Sequence, residues 1–331
     1  MSALRLGVDA FNLAADRRGM GRLVRQTLEH LERCEDVDVF NIKRRPESGA
    51  VTPRDLARLH LDAVWYPWNG MRFAPHAPAI VTINDPFAFT YPHRNLVARW
   101  REQAPIRRAI RQADCIFTIS QWGARELQRL FGVPAERLRV VLPGVEGFWQ
   151  PAAPPAQSPY MLFVGGPDER KNAAMLFEAY DAAFAGAGPQ LVVAGNLNAQ
   201  DEARLNAMRA RHRRVAPTDE ELRALYSGAL AVLVPSLAEG FGLPVVEAMA
   251  CGAPVIASNA GALPEAAGDA AMLIAPGDVR AWSEALARIA AGEALRAQLR
   301  ERGFARVRRL DAGATATALL ESVRRLRAGV R

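Results

Sequence analysis

The chain has 331 residues and a mass of 36.1 kDa, more than one ordinary core holds, and suits two domains of about 150 residues each. Half of its residues are hydrophobic and 23% are charged, which excludes a disordered chain; no apolar run approaches the roughly 18–20 residues that span a bilayer. The net charge of +7 and pI near 9.9 favour anionic partners without choosing among nucleic acid, membrane surface and phosphorylated ligand.

The opening segment MSALRLGVDAF runs straight into a strand and has none of the parts of a secretory leader, so a cytoplasmic location is expected. A polar loop, Asn12–Gly19, and an amphipathic helix, Arg22–Leu31, follow. Apolar runs at Val37–Ile42, Asp62–Tyr66, Ala79–Ile83, Cys115–Ile119 and Leu138–Leu142 predict strands, with a helix over Ser120–Phe131. The stretch QPAAPPAQSP carries four prolines in ten residues and reads as a linker over 151–159, between a domain at 1–150 and another at 160–305.

The pattern then restarts. Strands are predicted at Tyr160–Val164, Gln190–Ala194, Ala229–Val234 and Pro254–Ala257. Helices are predicted at Ala173–Phe184, near Asp201–Arg211, after a capping box at Thr218 and Glu221, from Pro244, and from about Asp278. Strands alternating with helices predict α/β architecture with two doubly wound, Rossmann-like parallel sheets, which bind ligands at the carboxyl ends of their strands. Cys34, Cys115 and Cys251 are too scattered for a disulfide framework or a metal site, and the histidines show no ligand spacing.

The densest chemistry lies in PSLAEGFGLPVVEAMACG, Pro235–Gly252. Gly240 and Gly242 let the loop bend, Pro244 suits the first helical position and Gly252 the helix end. A helix opening after a glycine loop presents free N–H groups and the positive end of its dipole, a ready place for phosphate. Glu239 leaves the strand end and Glu247 is expected in the first turn, so that both carboxylates face one ligand and accept hydrogen bonds from its hydroxyls. For Glu247 alone, a helix-start acid worth about 0.3–1 kcal/mol is the plainer reading.

The whole string resembles the signature of glycosyltransferase family 4, retaining GT-B enzymes with a Glu-x7-Glu motif inside EGFGLPxxEAMAxGxPV. Glu239 and Glu247 fall on the motif glutamates; Gly240, Phe241, Gly242 and Leu243 fall on the donor-side loop. The run FVGGPDERKNAAMLFEAY is similar to the family's phosphate-binding strand–loop–helix, with Gly165 and Gly166 in the loop and Arg170 and Lys171 on the basic pair for the donor diphosphate. An arginine fork and a compact lysine charge there would stabilise a departing nucleotide diphosphate. All but Lys43 and Lys171 of the 42 basic residues are arginine, which singles Lys171 out. Many members have arginine where Gly166 stands, but the subgroup ending in RKN does not.

In the first half, RRGMGRLVRQTL is similar to the family's acceptor-side glycine loop, with Gly19, Gly21 and Arg22 on the matching positions. Ser120 ends a strand and reads both as a site residue and as a helix cap. The run VTINDPFAFTYP resembles the family's VTIHD segment, with Asn84 in place of a histidine that lies by the donor sugar and with Asp85 on the motif aspartate. Asparagine keeps the hydrogen bonds but not the charge. Trp68, in DAVWYPWN, reads equally as a platform that stacks an acceptor sugar and as ordinary core, with Trp65 read as core. Asp36 and Asp38 imitate a metal-binding Asp-x-Asp but read as a solvated turn.

Between His93 and Arg111 six arginines face one glutamate, interleaved with Leu96, Val97, Trp100, Ile106 and Ile110. This reads either as a basic amphipathic helix that lies on an anionic membrane surface or as an exposed helix of an arginine-rich protein. The segment 306–331 is expected to be a helix that crosses back to the N-terminal domain. The resemblance implies a metal-independent, retaining transferase with no cofactor beyond its nucleotide-sugar co-substrate. It implies a glycan or lipid-linked acceptor in surface-polysaccharide synthesis, of the kind used by mannosyl- and rhamnosyltransferases. Peripheral attachment to the inner face of the membrane would follow. A non-catalytic sugar-nucleotide or glycan-binding protein is the alternative that Asn84 leaves open, and no motif supports nucleic acid as a partner.

Overall fold

Two runs of alternating strand and helix build two parallel sheets of six strands each. The computed structural model describes residues 3–16, 19–44, 51–155 and 159–329. The chain divides into two compact units, Met1–Gly144 with Asp311–Arg331, and Val145–Leu310.

The first unit contains β1 (Leu4–Asp9), α1 (Gly19–Glu32), β2 (Val37–Ile42), β3 (Ala63–Tyr66), β4 (Ala79–Thr82), α2 (Phe87–Thr90), α3 (Leu96–Gln112), β5 (Cys115–Thr118), α4 (Gln121–Phe131) and β6 (Leu138–Val140). Its sheet runs β2-β1-β3-β4-β5-β6, so the strand order reverses beside β1 and β3. Leu4, Leu6 and Val8 of β1 bury one face against Val24, Leu28 and Leu31 of α1. Val64, Tyr66, Val81 and Ile116 fill the other face with Ile106 and Ala109 of α3. Side chains that leave water completely in this way contribute about 1.5–3 kcal/mol each, which is why both faces read as near-continuous apolar runs.

The second unit contains β7 (Tyr160–Val164), α5 (Ala173–Phe184), β8 (Gln190–Ala194), α6 (Ala199–Ala207), β9 (His212–Val215), α7 (Asp219–Gly228), β10 (Val232–Val234), α8 (Leu243–Ala250), β11 (Val255–Ser258), α9 (Leu263–Ala267), β12 (Ala271–Ile274), α10 (Val279–Ala291) and α11 (Glu293–Val307). Its order is β12-β11-β10-β7-β8-β9, with the reversal beside β7 and β10. The expected capping box is formed: Thr218 Oγ1 accepts the Glu221 amide at 3.2 Å, and Glu221 Oε2 accepts the Thr218 amide at 2.7 Å.

The last helix, α12 (Ala314–Arg327), belongs to the first unit, where Ala316, Leu319, Leu320 and Val323 join the core formed by β1 and α1. Residues 330–331 of the expected C-terminal segment lie outside the described residues. The proline stretch at 151–159 falls inside the second unit, where the Ala152 amide donates to Ser227 Oγ of α7 at 3.0 Å; residues 156–158 are outside the described residues. Among the described residues four named elements escape the sequence pattern, the four-residue α2 among them. β9 is an edge strand written HRRV, and α9 and β12 are only five and four residues long.

Candidate active site

The carboxyl ends of β7 and β10 carry the second unit's polar loops. Beyond β7, Gly165 and Gly166 lead into a single 3-10 turn, Glu169–Lys171, capped by Asp168, whose Oδ1 accepts the Arg170 amide at 2.9 Å. Arg170 holds the same carboxylate with its guanidinium through Nε at 3.0 and 3.1 Å and through a short contact from Nη2. Burial pushes the Asp168 carboxyl up, but the hydrogen bonds from Arg170 and the charges of Arg170 and Lys171 hold it below the ordinary range.

Beyond β10, the Leu237 amide donates to the Arg170 carbonyl at 2.8 Å and joins the two loops. Lys171 Nζ donates to Glu239 Oε1 at 2.8 Å, and Ser236 Oγ donates to the same oxygen at 2.7 Å. The pair is mostly shielded, with side-chain exposures of 27% for Lys171 and 15% for Glu239. Two donors on one oxygen fix the carboxylate.

Asn172 locks this corner from behind. It adopts a left-handed φ of 56°, and its Nδ2 donates to the carbonyls of Pro235 at 3.0 Å and Pro276 at 2.7 Å. Gly261 backs Glu239: a Cβ there would stand 2.7 Å from the Glu239 amide nitrogen, and φ is +59°. Neither residue was singled out from sequence, nor was Ser236. The signals were an asparagine just before a helix, a type that tolerates the left-handed region, and a serine beside a motif glutamate.

α8 opens directly after this loop, but at Leu243, with Pro244 in its second position rather than its first. Gly242 supplies a φ of +107° against Leu263. Gly240 is buried, and the Phe241 ring is buried as well, so Phe241 offers the loop its backbone only. Glu247 lies in the second turn of α8, not the first, because the helix begins so close to the glycines. Its side chain is buried, and Tyr226 donates a hydroxyl hydrogen bond to Oε2 at 3.3 Å. The reading of Glu247 as a dipole-stabilised helix-start acid therefore fails on position. Behind it, burial and the Glu247 charge push the Cys251 thiol up to about 12 and make it inert.

In the first unit, Gly19 and Gly21 lie within the first turn of α1 rather than in a loop, and residues 17–18 of the expected loop are outside the described residues. A Cβ on Gly21 would stand 1.8 Å from the Asp16 carbonyl, so only glycine fits. Arg22 follows on the same turn; Arg25 fastens the preceding loop by donating to the carbonyls of Leu13 at 3.0 Å and Asp16 at 2.8 Å. Ser120 is fully buried and caps α4 by accepting the Gly123 amide at 3.0 Å. Asp85 Oδ1 accepts the Phe87 amide at 3.1 Å and turns the chain into α2. Trp68 is buried, and its Nε1 donates to the Asp9 carbonyl at 2.6 Å. Its face is packed into the core, which corrects the expectation that it stacks a sugar.

Asn84 is buried just beyond β4 and paired with Asn69. Asn69 Oδ1 accepts the Asn84 backbone amide at 2.7 Å, which identifies that atom as oxygen. The Asn84 atom 3.0 Å from it must then be the Nδ2 donor. The remaining atom, Asn84 Oδ1, has no partner among the described residues. Asn84 lines a small pocket with Met20, Leu23, Thr82, Thr118 and Ile119.

α3 departs from a uniform amphipathic helix. Its second half buries Ile106 and Ala109, whereas its first half leaves Leu96 71%, Val97 59% and Trp100 69% exposed, near Tyr91 at 46%. Among the described residues no helix is long and apolar enough to cross a membrane.

Residues 149–306 match the family model described as glycosyl transferases group 1, and residues 38–146 the one described as glycosyltransferase family 4. The O-antigen chain mannosyltransferase B of Escherichia coli is 31% identical over 256 residues, covering 70% of this chain and 67% of that protein. The MMP alpha-(1->4)-mannosyltransferase of Mycolicibacterium hassiacum is also 31% identical, over 64% of this chain and 56% of its own length. Among solved structures, a sucrose-phosphate synthase of Thermosynechococcus elongatus superposes with a TM-score of 0.75 at 23% identity, covering 99% and 100% of the two chains. WaaG, a glycosyltransferase involved in lipopolysaccharide biosynthesis, gives 0.74 at 15% identity over 98% and 99%. These likenesses establish the GT-B fold.

Proposed function

The chain belongs to glycosyltransferase family 4, and from that membership we propose that it moves a hexose, with retention, from a nucleotide-diphosphate sugar to a glycan or lipid-linked acceptor during surface-polysaccharide synthesis. The observation that carries this reading is the convergence of Lys171 and Ser236 on one oxygen of Glu239, beside the glycine-lined opening of α8. Arg170, Lys171 and the positive end of α8 would hold the donor diphosphate and take up the charge of the departing nucleotide, with no call on a metal. The other carboxylate oxygen of Glu239, Oε2, would accept a hydroxyl of the donor sugar; Glu247, deeper in α8, would accept from the ribose. Gly165, Gly166 and the backbone of Gly240–Leu243 would line the donor loops, and Gly19, Gly21 and Arg22 the acceptor side. No side chain is assigned as a nucleophile; the departing phosphate would assist deprotonation of the acceptor. The mannosyl activity named for the bacterial relatives makes a GDP-mannose donor the first to test, with UDP- and dTDP-sugars next.

Asn84 stands where the family has a histidine, and its fixed Oδ1 would receive a sugar hydroxyl in that place. A protein that binds the same ligands without transfer is the competing reading, since asparagine supplies no titratable ring. Calorimetry against UDP-, GDP-, dTDP- and ADP-sugars, followed by hydrolysis and transfer assays, decides between them. Saturable binding with slow release of sugar supports the transferase. Binding without turnover, even with lipid acceptors, supports the binding protein, and no binding at all removes the donor-site assignment.

The exposed tip of α3 would let a lipid-linked acceptor be reached. Leu96, Val97, Trp100 and Tyr91 sit among arginines, a composition suited to the interface of an anionic bilayer on the cytoplasmic side. Wild-type protein should sediment with phosphatidylglycerol vesicles and not with phosphatidylcholine vesicles, and Trp100→Ser should weaken the association. Equal recovery with both lipids would rule the membrane role out.

A further inference from the structure

Asp9 ends β1, one of the two strands that flank the reversal of order in the first sheet, the place where open α/β sheets bind ligands. The residue is completely buried. Its Oδ1 accepts the Phe11 amide at 3.0 Å, and its main-chain oxygen accepts Trp68 Nε1 at 2.6 Å. One residue thus ties the start of the loop at 10–16 to the segment leaving β3, while Arg25 pins the far end of the same loop. The second carboxyl oxygen, Oδ2, is buried with no partner among the described residues. An unsatisfied buried acceptor weakens a fold, and natural proteins keep few of them. Neither the donor assignment nor the acceptor assignment uses Asp9.

We propose that Asp9 is a positioning residue for the acceptor: by clamping the loop between β1 and α1 to the exit of β3, it sets the surface that a hydroxylated sugar acceptor meets. The proposal rests on the acceptor-side reading of Gly19, Gly21 and Arg22. Among the described residues, the charged and titratable groups around the carboxyl are Arg44 beyond β2, Arg72 beyond β3, and Tyr66 on β3, which in turn lies near Arg108 of α3. Burial raises the Asp9 carboxyl to about 6, against the Phe11 amide and the two arginines, which favour its charged form. Above that pH the ionised carboxylate holds the Phe11 amide through a charge-assisted hydrogen bond; below it the bond joins neutral groups and is weaker. Acceptor recognition therefore falls as pH drops through about 6, and donor binding does not.

Asp9→Asn keeps the size and the Oδ1 acceptor and removes the charge. With octyl α-mannoside as the acceptor probe, the variant should show an acceptor KM raised about 10-fold at neutral pH, the loss of one charge-assisted bond. Its acceptor kcat/KM should lack the wild type's fall in acid, with donor affinity by calorimetry unchanged. An acceptor KM like that of the wild type, or the same acid fall, overturns the proposal. Arg22→Ala separates the two levels of the argument. If it raises the acceptor KM while Asp9→Asn does not, Asp9 alone is misassigned; if neither does, the acceptor-side reading fails with it. Should Asp9→Asn fold poorly, hydrogen exchange in the wild-type protein supplies the second test. Corrected for intrinsic rates, amides of residues 10–16 should be less protected in acid than at neutral pH, and those of 165–172 should not change; equal protection of 10–16 overturns the proposal.

Discussion

The polar groups of the two units are managed in opposite ways. Around the loops of the second unit the shielded carboxylates are partnered: Asp168 by Arg170, Glu239 by Lys171 and Ser236, Glu247 by Tyr226. In the first unit four buried side-chain oxygens lack a partner among the described residues, Asp9 Oδ2, Asn41 Oδ1, Asn84 Oδ1 and the Thr90 hydroxyl, and the first three lie at or just beyond the carboxyl ends of β1, β2 and β4. The difference matches the chemistry assigned to each half. An unpaired buried ion is expensive, so the cations proposed to hold a diphosphate keep internal partners that such a ligand would replace. The half proposed to receive hydroxyls can hold neutral amide oxygens unsatisfied at a smaller penalty, and Asp9 is its one costly exception.

The largest effect that would break this contrast is on Lys171. Lys171→Ala removes the cation and strands Glu239, and should lower kcat about 10²–10³-fold, roughly 3–4 kcal/mol of transition-state stabilisation. Near-wild-type turnover would reduce the Lys171–Glu239 pair to a structural contact.

Asp9 tests the other half through stability. Its folded pKa, about 6, lies above the ordinary aspartate value of 3.8, so the native state holds the proton more tightly than the unfolded chain. The stability this gives is fully present below about 4 and is lost as pH rises to about 6. Above that, the buried charge weakens the fold by up to about 3 kcal/mol. Asp9→Asn should therefore unfold at a higher temperature than the wild type at mildly alkaline pH, with the advantage shrinking in acid. A lower melting temperature there would mean that Oδ2 is satisfied in solution.

The smallest expected effect concerns the amide pair. Asn69→Ala frees the Asn84 side chain and leaves its buried backbone N–H without an acceptor, a loss of about 1–3 kcal/mol measurable by denaturant unfolding. If transfer to the acceptor is unaltered in that variant, the orientation of Asn84 Oδ1 is a packing accident.

Most of the strand and helix cores were legible because they are apolar on both faces, and Val37–Ile42, Tyr160–Val164 and Gln190–Ala194 coincide with their predicted limits. Short elements were not: β9 is polar because it is an edge, and α9 and β12 offer too few residues for a period to register. At the site, the motif residues around Glu239 could be named from sequence, but the turn holding Glu247 could not, since it depends on whether the helix starts at Leu243 or one residue later. Trp68 misled for a related reason: a strand-end aromatic reads as a platform until the acceptor for its indole N–H, the Asp9 carbonyl, is known. Asp9 itself gave no signal, as an aspartate ending a strand looks like ordinary turn chemistry.

The placement of α12 carries a consequence for biosynthesis. The first unit is assembled from both ends of the sequence, and Leu319, Leu320 and Val323 close a core begun by Leu4, Leu6 and Val8. On the ribosome, the core that β1 shares with α1 stays incompletely covered until α12 emerges, whereas Val145–Leu310 is contiguous and can fold as soon as it is made. The order of maturation thus runs against the order of translation, and a nascent chain stalled short of α12 would leave a finished second unit beside an N-terminal half exposed to chaperones and proteases.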